Sequence, residues 1–115
     1  MLATPYRLQK ERDFQRVYGF GRSFFTNDLN LKFTRNNSQK SRFGFVINHK
    51  ITNKATKRNK LKRQFREIVR KKISQIKNGF DIVFIAKKII LNKTFQEKEE
   101  ILKTLLERAK LIKHD

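Results

Sequence analysis

A chain of 115 residues with 11 phenylalanines, and with Ile, Leu and Val spread along it, has the material for one modest core, which excludes wholesale disorder. Its 29 lysines and arginines stand against 10 acids, a formal charge of +19, and a compact body so charged points to a polyanionic partner, nucleic acid before anionic membrane. The lack of cysteine excludes disulfides, zinc–thiolate sites and thiol catalysis.

The start, MLATPYRLQK, lacks the apolar stretch of a signal peptide, and no apolar run approaches the roughly 20 residues of a membrane span. A cytoplasmic protein of one domain over residues 1–115, with no membrane partner, is the expectation. Residues 10–20 place Phe14, Val17 and Tyr18 at helical spacing, a short amphipathic helix that Gly21 is suited to end in a left-handed cap. Leu29, Leu31 and Phe33 alternate with polar residues as in a half-buried strand. After the turn residues Asn36, Asn37 and Ser38, the alternation of Phe43, Phe45 and Ile47 predicts a second strand forming an antiparallel hairpin with the first. Ser23–Phe25 allows a further short strand. A helix is predicted over 55–77, its stripe Leu61, Phe65, Ile68, Val69, Ile73 and Ile76, stopped by Asn78-Gly79. FDIVFIAKK at 80–88 reads as a buried strand. Thr94 with Glu97 forms a capping box for a last helix, whose apolar face is Ile101, Leu102, Leu105, Leu106, Ala109 and Ile112. The order is α-β-β-(β)-α-β-α: a small sheet with helices packed on it.

Charge is unevenly placed. Residues 97–115 hold five acids and five bases, so the first 96 residues carry the whole excess, and the last helix is expected only to pack. Between Lys50 and Lys72 there are 11 bases and one acid. With Leu61 at zero on a wheel of about 100° per residue, Ile68, Phe65, Ile76 and Val69 fall between about −20° and +80°, and Lys62, Arg66, Asn59, Arg70 and Arg63 between about 100° and 200°. Such a helix holds its cations on a rod anchored by core contacts, so little ordering entropy is lost when a phosphate backbone docks. A solvated helix face would intersperse Glu at i, i+4. A membrane-surface helix would favour Trp, absent here, and a DNA recognition helix needs a helix just before it rather than a strand. Tyr18, between Arg16 and Arg22, could stack on an unpaired base; Phe14 reads equally well as core.

His49 and His114 are far apart in sequence, and no carboxylate pair, Gly-rich phosphate loop or nucleophile motif occurs. No catalytic residue and no metal ligand is assigned. The residues describe a binder of nucleic acid.

RNKLKRQFRE at 58–67 closely resembles the R-N-R-x-K-R-x-x-R-E signature of the bacterial ribonuclease P protein family. In order along the chain, Leu8 to Phe14, Phe14-Gln15-Arg16-Val17-Tyr18, Gly21-Arg22-Ser23, Arg42-Phe43-Gly44-Phe45-Val46 and Asp81-Ile82-Val83-Phe84-Ile85-Ala86 resemble that family's other motifs. The resemblance implies an α/β fold: a two-layer α-β sandwich of ribosomal-protein-like type, with a small mixed sheet and a left-handed βαβ crossover. It implies the protein subunit of an endoribonuclease whose RNA subunit does the catalysis, binding most of the Mg²⁺, and removes 5′ leaders from precursor tRNA. The implied partners are ribonuclease P RNA and precursor tRNA, with no obligate protein partner. Arg58, Asn59, Lys60, Lys62, Arg63, Arg66, Arg70 and Lys54 would contact RNA; Phe14, Tyr18, Lys32 and Lys50 would line a cleft for the leader. Lys60 stands where the family usually has Arg, Lys32 where an aromatic is common, Asn48-His49-Lys50 where Ser-Lys-Lys or Ala-Lys-Lys is usual, and Lys87 where Arg is. The rival readings are a structural, ribosomal-type RNA-binding protein and a protein-only nuclease.

Overall fold

Period-2 and period-3.6 patterning both resolve into the expected elements in a computed structural model that describes residues 2–113; His114 lies outside them. α1 spans Glu11–Phe20, β1 Arg22–Phe25, β2 Leu29–Arg35, β3 Arg42–Val46, α2 Ala55–Lys72, β4 Phe80–Ala86 and α3 Phe95–Arg108. Short 3-10 turns occupy Thr4–Tyr6, Ile73–Gln75 and Lys88–Asn92. The four strands form one mixed sheet in the order β1-β2-β4-β3, with β3 parallel to β4 and the other pairs antiparallel. β3, α2 and β4 make the βαβ unit.

β2 and β3 do not pair as the expected hairpin, because β4 lies between them. Ile82, Val83 and Phe84 of β4 are all buried, and a strand apolar on both faces belongs at a sheet's centre. The 36–41 connection arches over the start of β4. Asn36 N–H donates to Gly79 O at 3.0 Å, and Ser41 Oγ donates to Lys77 O at 2.6 Å while accepting from Phe80 N–H at 3.1 Å.

Strand register sorts side chains onto two faces. Leu31 faces Phe84, and Ile82 lies between Phe33 and Phe43, on the face covered by α2 and α3. Phe65 of α2 stacks on Phe45 with ring centres 5.7 Å apart, and Phe45 on Phe84 at 5.7 Å. Leu61, Phe65, Ile68 and Val69 of α2 are buried, as are Leu102, Leu105 and Leu106 of α3. Each such burial stabilises by about 1.5–3 kcal/mol, enough to hold a helix with this much like charge. The opposite face carries Val83 beside Val46 and Ile85, and there α1 packs through Val17, with Leu8 and Phe14 beside it.

Three local expectations are corrected, one being Ile112, which lies past the end of α3 at Arg108 instead of on its apolar face. α2 ends at Lys72, not at residue 77; a 3-10 turn follows, and Ile76 reaches the core as extended chain bridged to Ile112. Gly21 is extended at φ −79°, not left-handed. It is needed there because a Cβ would sit 2.3 Å from Val17 O. The left-handed glycine is Gly79, at φ +89°. The capping box is present: Thr94 Oγ1 accepts from Glu97 N–H at 3.1 Å and Glu97 Oε1 from Thr94 N–H at 2.8 Å.

Candidate RNA-binding surfaces

The buried stripe of α2 divides its cations into two flanks. Lys62 and Arg66 lie on the flank toward the β3 edge and, with Arg7, line a cleft of about 200 Å³ that reaches Phe14 and Gly44. Burial first, and then the charge of Arg7, push the Arg66 pKa down, so three cations meet there at a cost that a bound anion would relieve. Arg63 is exposed. Arg58 is partly tied back, its Nη1 donating to Thr52 O at 2.9 Å. Lys54 is the exposed N-cap residue of α2 and makes no side-chain cap bond. Asn59 and Lys60 are exposed as well. Lys60 lines a different groove, with Lys57 and Gln64, on the other side of the stripe from Lys62 and Arg66.

Arg70 is the member of the set most engaged within the protein. Its Nε donates to Glu67 Oε2 at 3.0 Å and its Nη2 to Oε1 at 2.5 Å, a fork-to-fork pair. Chiefly through that hydrogen bonding, the Glu67 carboxyl is held down at about 2. A lowered folded value means the pair is complete above the ordinary carboxylate range and is lost only as pH falls toward 2. Glu67→Gln is therefore expected to release Arg70 and tighten RNA binding at neutral pH by about threefold, with a salt slope steeper by up to about one unit. Filter binding across a salt series measures it, and an unchanged slope would show that Arg70 points away from RNA.

On the opposite face of the sheet, Phe14 and Tyr18 stand one helical turn apart with ring centres 6.3 Å apart. Lys32 of β2 places its Nζ 5.8 Å from the centre of the Tyr18 ring. The structure thus brings Phe14, Tyr18 and Lys32 into one patch, while Lys50 is exposed in the turn after β3, outside those contacts. Tyr18 is 37% exposed, which leaves ring surface for a ligand, and burial of the remainder raises its hydroxyl pKa. Phe14 is half-buried and approaches the sheet because residue 44 is glycine: a Cβ there would lie 2.6 Å from the Phe14 ring.

A buried charge network missed by the sequence reading sets the position of α1. Asp81, 0% exposed, accepts from Arg42 Nε at 2.9 Å and Nη2 at 2.7 Å, from Asn36 Nδ2 at 3.0 Å, and from Arg16 of α1. Arg42 also donates to Asp13 of α1 at 3.3 Å. The signal was available, because a lone carboxylate inside FDIVFIA must be paired if that strand is buried.

The family model described as Ribonuclease P matches residues 2–110. The chain belongs to the bacterial ribonuclease P protein family. It is similar to the ribonuclease P protein component of Fusobacterium nucleatum, 41% identical over 81 residues that cover 70% of this chain and 72% of that one. The ribonuclease P protein component of Clostridioides difficile is 37% identical, with 89% of this chain and 90% of the relative covered. Among solved structures, the RNase P protein of Staphylococcus aureus superposes with a TM-score of 0.87 at 30% identity, covering 94% of this chain and 98% of that one. That of Thermotoga maritima gives 0.82 at 39%, covering 89% and 96%. Relatives and structural neighbours alike are ribonuclease P proteins, and the ribosomal-type alternative finds no support among them.

Proposed function

We propose that this protein subunit of ribonuclease P binds the catalytic RNA through α2 and the 5′ leader of precursor tRNA across the patch between α1 and the sheet. The observation that carries the reading is the cation set of α2, mounted opposite four buried side chains of the same helix. Arg63, Arg66 and Lys62 supply phosphate contacts on a backbone already ordered. Tyr18 and Phe14 offer stacking surface, and Lys32 a phosphate contact, where an unpaired strand would cross the sheet.

Among the described residues no three His, Asp or Glu side chains converge to hold a metal ion. We assign the Mg²⁺ of phosphodiester hydrolysis to the RNA subunit, as the family resemblance implies, and no chemical step is routed through a protein-held ion. The RNA catalyses; the protein raises its affinity for substrate and metal. The site of action is the cytoplasm. Among the described residues no helix is long and apolar enough to cross a membrane.

The test is a cleavage assay. Adding the chain to ribonuclease P RNA should lower the Mg²⁺ concentration needed to process precursor tRNA, and the chain alone should cleave nothing. Absence of stimulation would sink the proposal, and cleavage without RNA would indicate a protein-only nuclease. Within the same assay, Tyr18→Ala is expected to weaken precursor binding by about 1–3 kcal/mol while leaving mature tRNA binding unchanged. Equal losses for both substrates would make Tyr18 a packing residue.

A further inference from the structure

A groove of about 510 Å³ runs between α2 and the start of α3. Lys57, Lys60 and Gln64 of α2 form one wall, Lys93 and Lys98 the other, and Leu61, Leu91 and Phe95 an apolar floor. On the helical wheel Lys57, Gln64 and Lys60 fall at about −40°, −60° and −100°, across the apolar stripe from Lys62 and Arg66. This is a second cationic site, separate from the cleft at the β3 edge.

Lys98 is its unusual member. The residue is 7% exposed, and its Nζ donates to Gln64 Oε1 at 2.7 Å. That is the ammonium's single hydrogen bond among the described residues, although it offers three donors. The neighbouring acids are engaged elsewhere: Glu97 closes the capping box, Glu99 lies 3.9 Å from Lys72, and Asp28 lies 3.9 Å from Lys93. Burial and the charge of Lys60 both push the Lys98 pKa down, as expected of an ammonium held without a carboxylate. Four lysines, offset by Asp28 beside Lys93 and by the Glu97 carboxylate that also feels Lys93, leave this groove net positive. An oxyanion of at least two charges with several acceptor oxygens matches it, and the apolar floor suits the sugar or base attached to one.

We propose that this groove is a phosphate-binding site in which Lys98 is the buried receptor and Lys57, Lys60 and Lys93 form the rim. The phosphate is either a backbone phosphate of RNA or a free phosphate compound. The recognition chemistry is the same for both.

The experiment titrates pyrophosphate into the full chain by calorimetry at low ionic strength. Saturable binding is expected, weakened tenfold or more by Lys98→Met and less than twofold by Lys103→Met, an exposed lysine farther along α3. Equal losses in the two variants, or no saturable binding to the unaltered chain, would overturn the site. Should Lys98→Met fold poorly by circular dichroism, Lys57→Ala on the exposed rim carries the comparison. It should weaken binding threefold or more, and an affinity matching the unaltered chain would equally overturn the site. The source is read from RNA binding across a salt series. A slope reduced by about one unit in Lys98→Met assigns an RNA phosphate, whereas an unchanged slope beside lost pyrophosphate binding assigns a free phosphate ligand. Because the pyrophosphate arm uses no RNA, failure of the ribonuclease P reading would leave this result standing.

Discussion

Asp81→Asn is expected to lower the unfolding free energy by about 3 kcal/mol, with a fall in Tm of roughly 15 °C. The carboxylate is 0% exposed and accepts from Arg42, Arg16 and Asn36. Asparagine keeps the volume but removes the charge and turns one acceptor into a donor facing guanidinium groups. Arg16 and Arg42 keep 35% and 29% of their side-chain surface in water, so they can rehydrate in part, which holds the loss near the lower end for a broken buried pair. Urea unfolding at constant m-value measures the change, and a loss under 1 kcal/mol would mean the network contributes little. The substitution has a second expected signature. Asp81 with Arg42 ties α1 to the sheet, so precursor binding should fall more than binding to the catalytic RNA, which we have proposed α2 contacts.

Phe65→Ala should cost about 3–5 kcal/mol, because a 1% exposed ring is removed from between the sheet and α2 and a cavity is left. Phe65 stacks on Phe45, itself stacked on Phe84, so the cavity opens in the middle of the layer that fixes the orientation of α2. All cations remain. If the role of the core here is to hold them in place, RNA affinity falls with the folded fraction while the salt slope stays near that of the unaltered chain. Saturating RNA should restore stability by mass action. A normal affinity in a destabilised variant would show that the charges work without their scaffold.

α2 was legible because its two periodic signals agree: apolar residues at i, i+4, i+7 and i+8 from Leu61 all turn inward. β2 and the capping box were legible for the same local reason. Pairing was not, since adjacency of β2 and β3 in the chain suggests a hairpin, and only the two-sided burial of β4 argues for its insertion between them. Ile76 fitted the helical stripe by period yet reaches the core from extended chain, a case where tertiary packing overrides a repeat. For the candidate site, the cations of α2 stood out by their number. Sorting them to two flanks required the neighbours, Arg7 on one side and Lys98 on the other. The stretch 97–115, neutral in sum, conceals a lysine that lines a cationic groove.

Insertion of β4 between β2 and β3 also governs the order in which this chain can be completed. β3 has β4 as its one strand partner, and β4 follows α2 in the chain. During synthesis, residues up to 79 would therefore present a basic helix whose supporting sheet is still unfinished, and closure would await residues 80–86 pairing with β2, already held by β1, and with β3, which has no strand to pair with until then. Non-local closure of this kind is slow. Over that interval the nascent chain would carry its polyanion-seeking segment before it has a core to mount it on, so an RNA present at that moment would act on the folding of the protein as well as on its function.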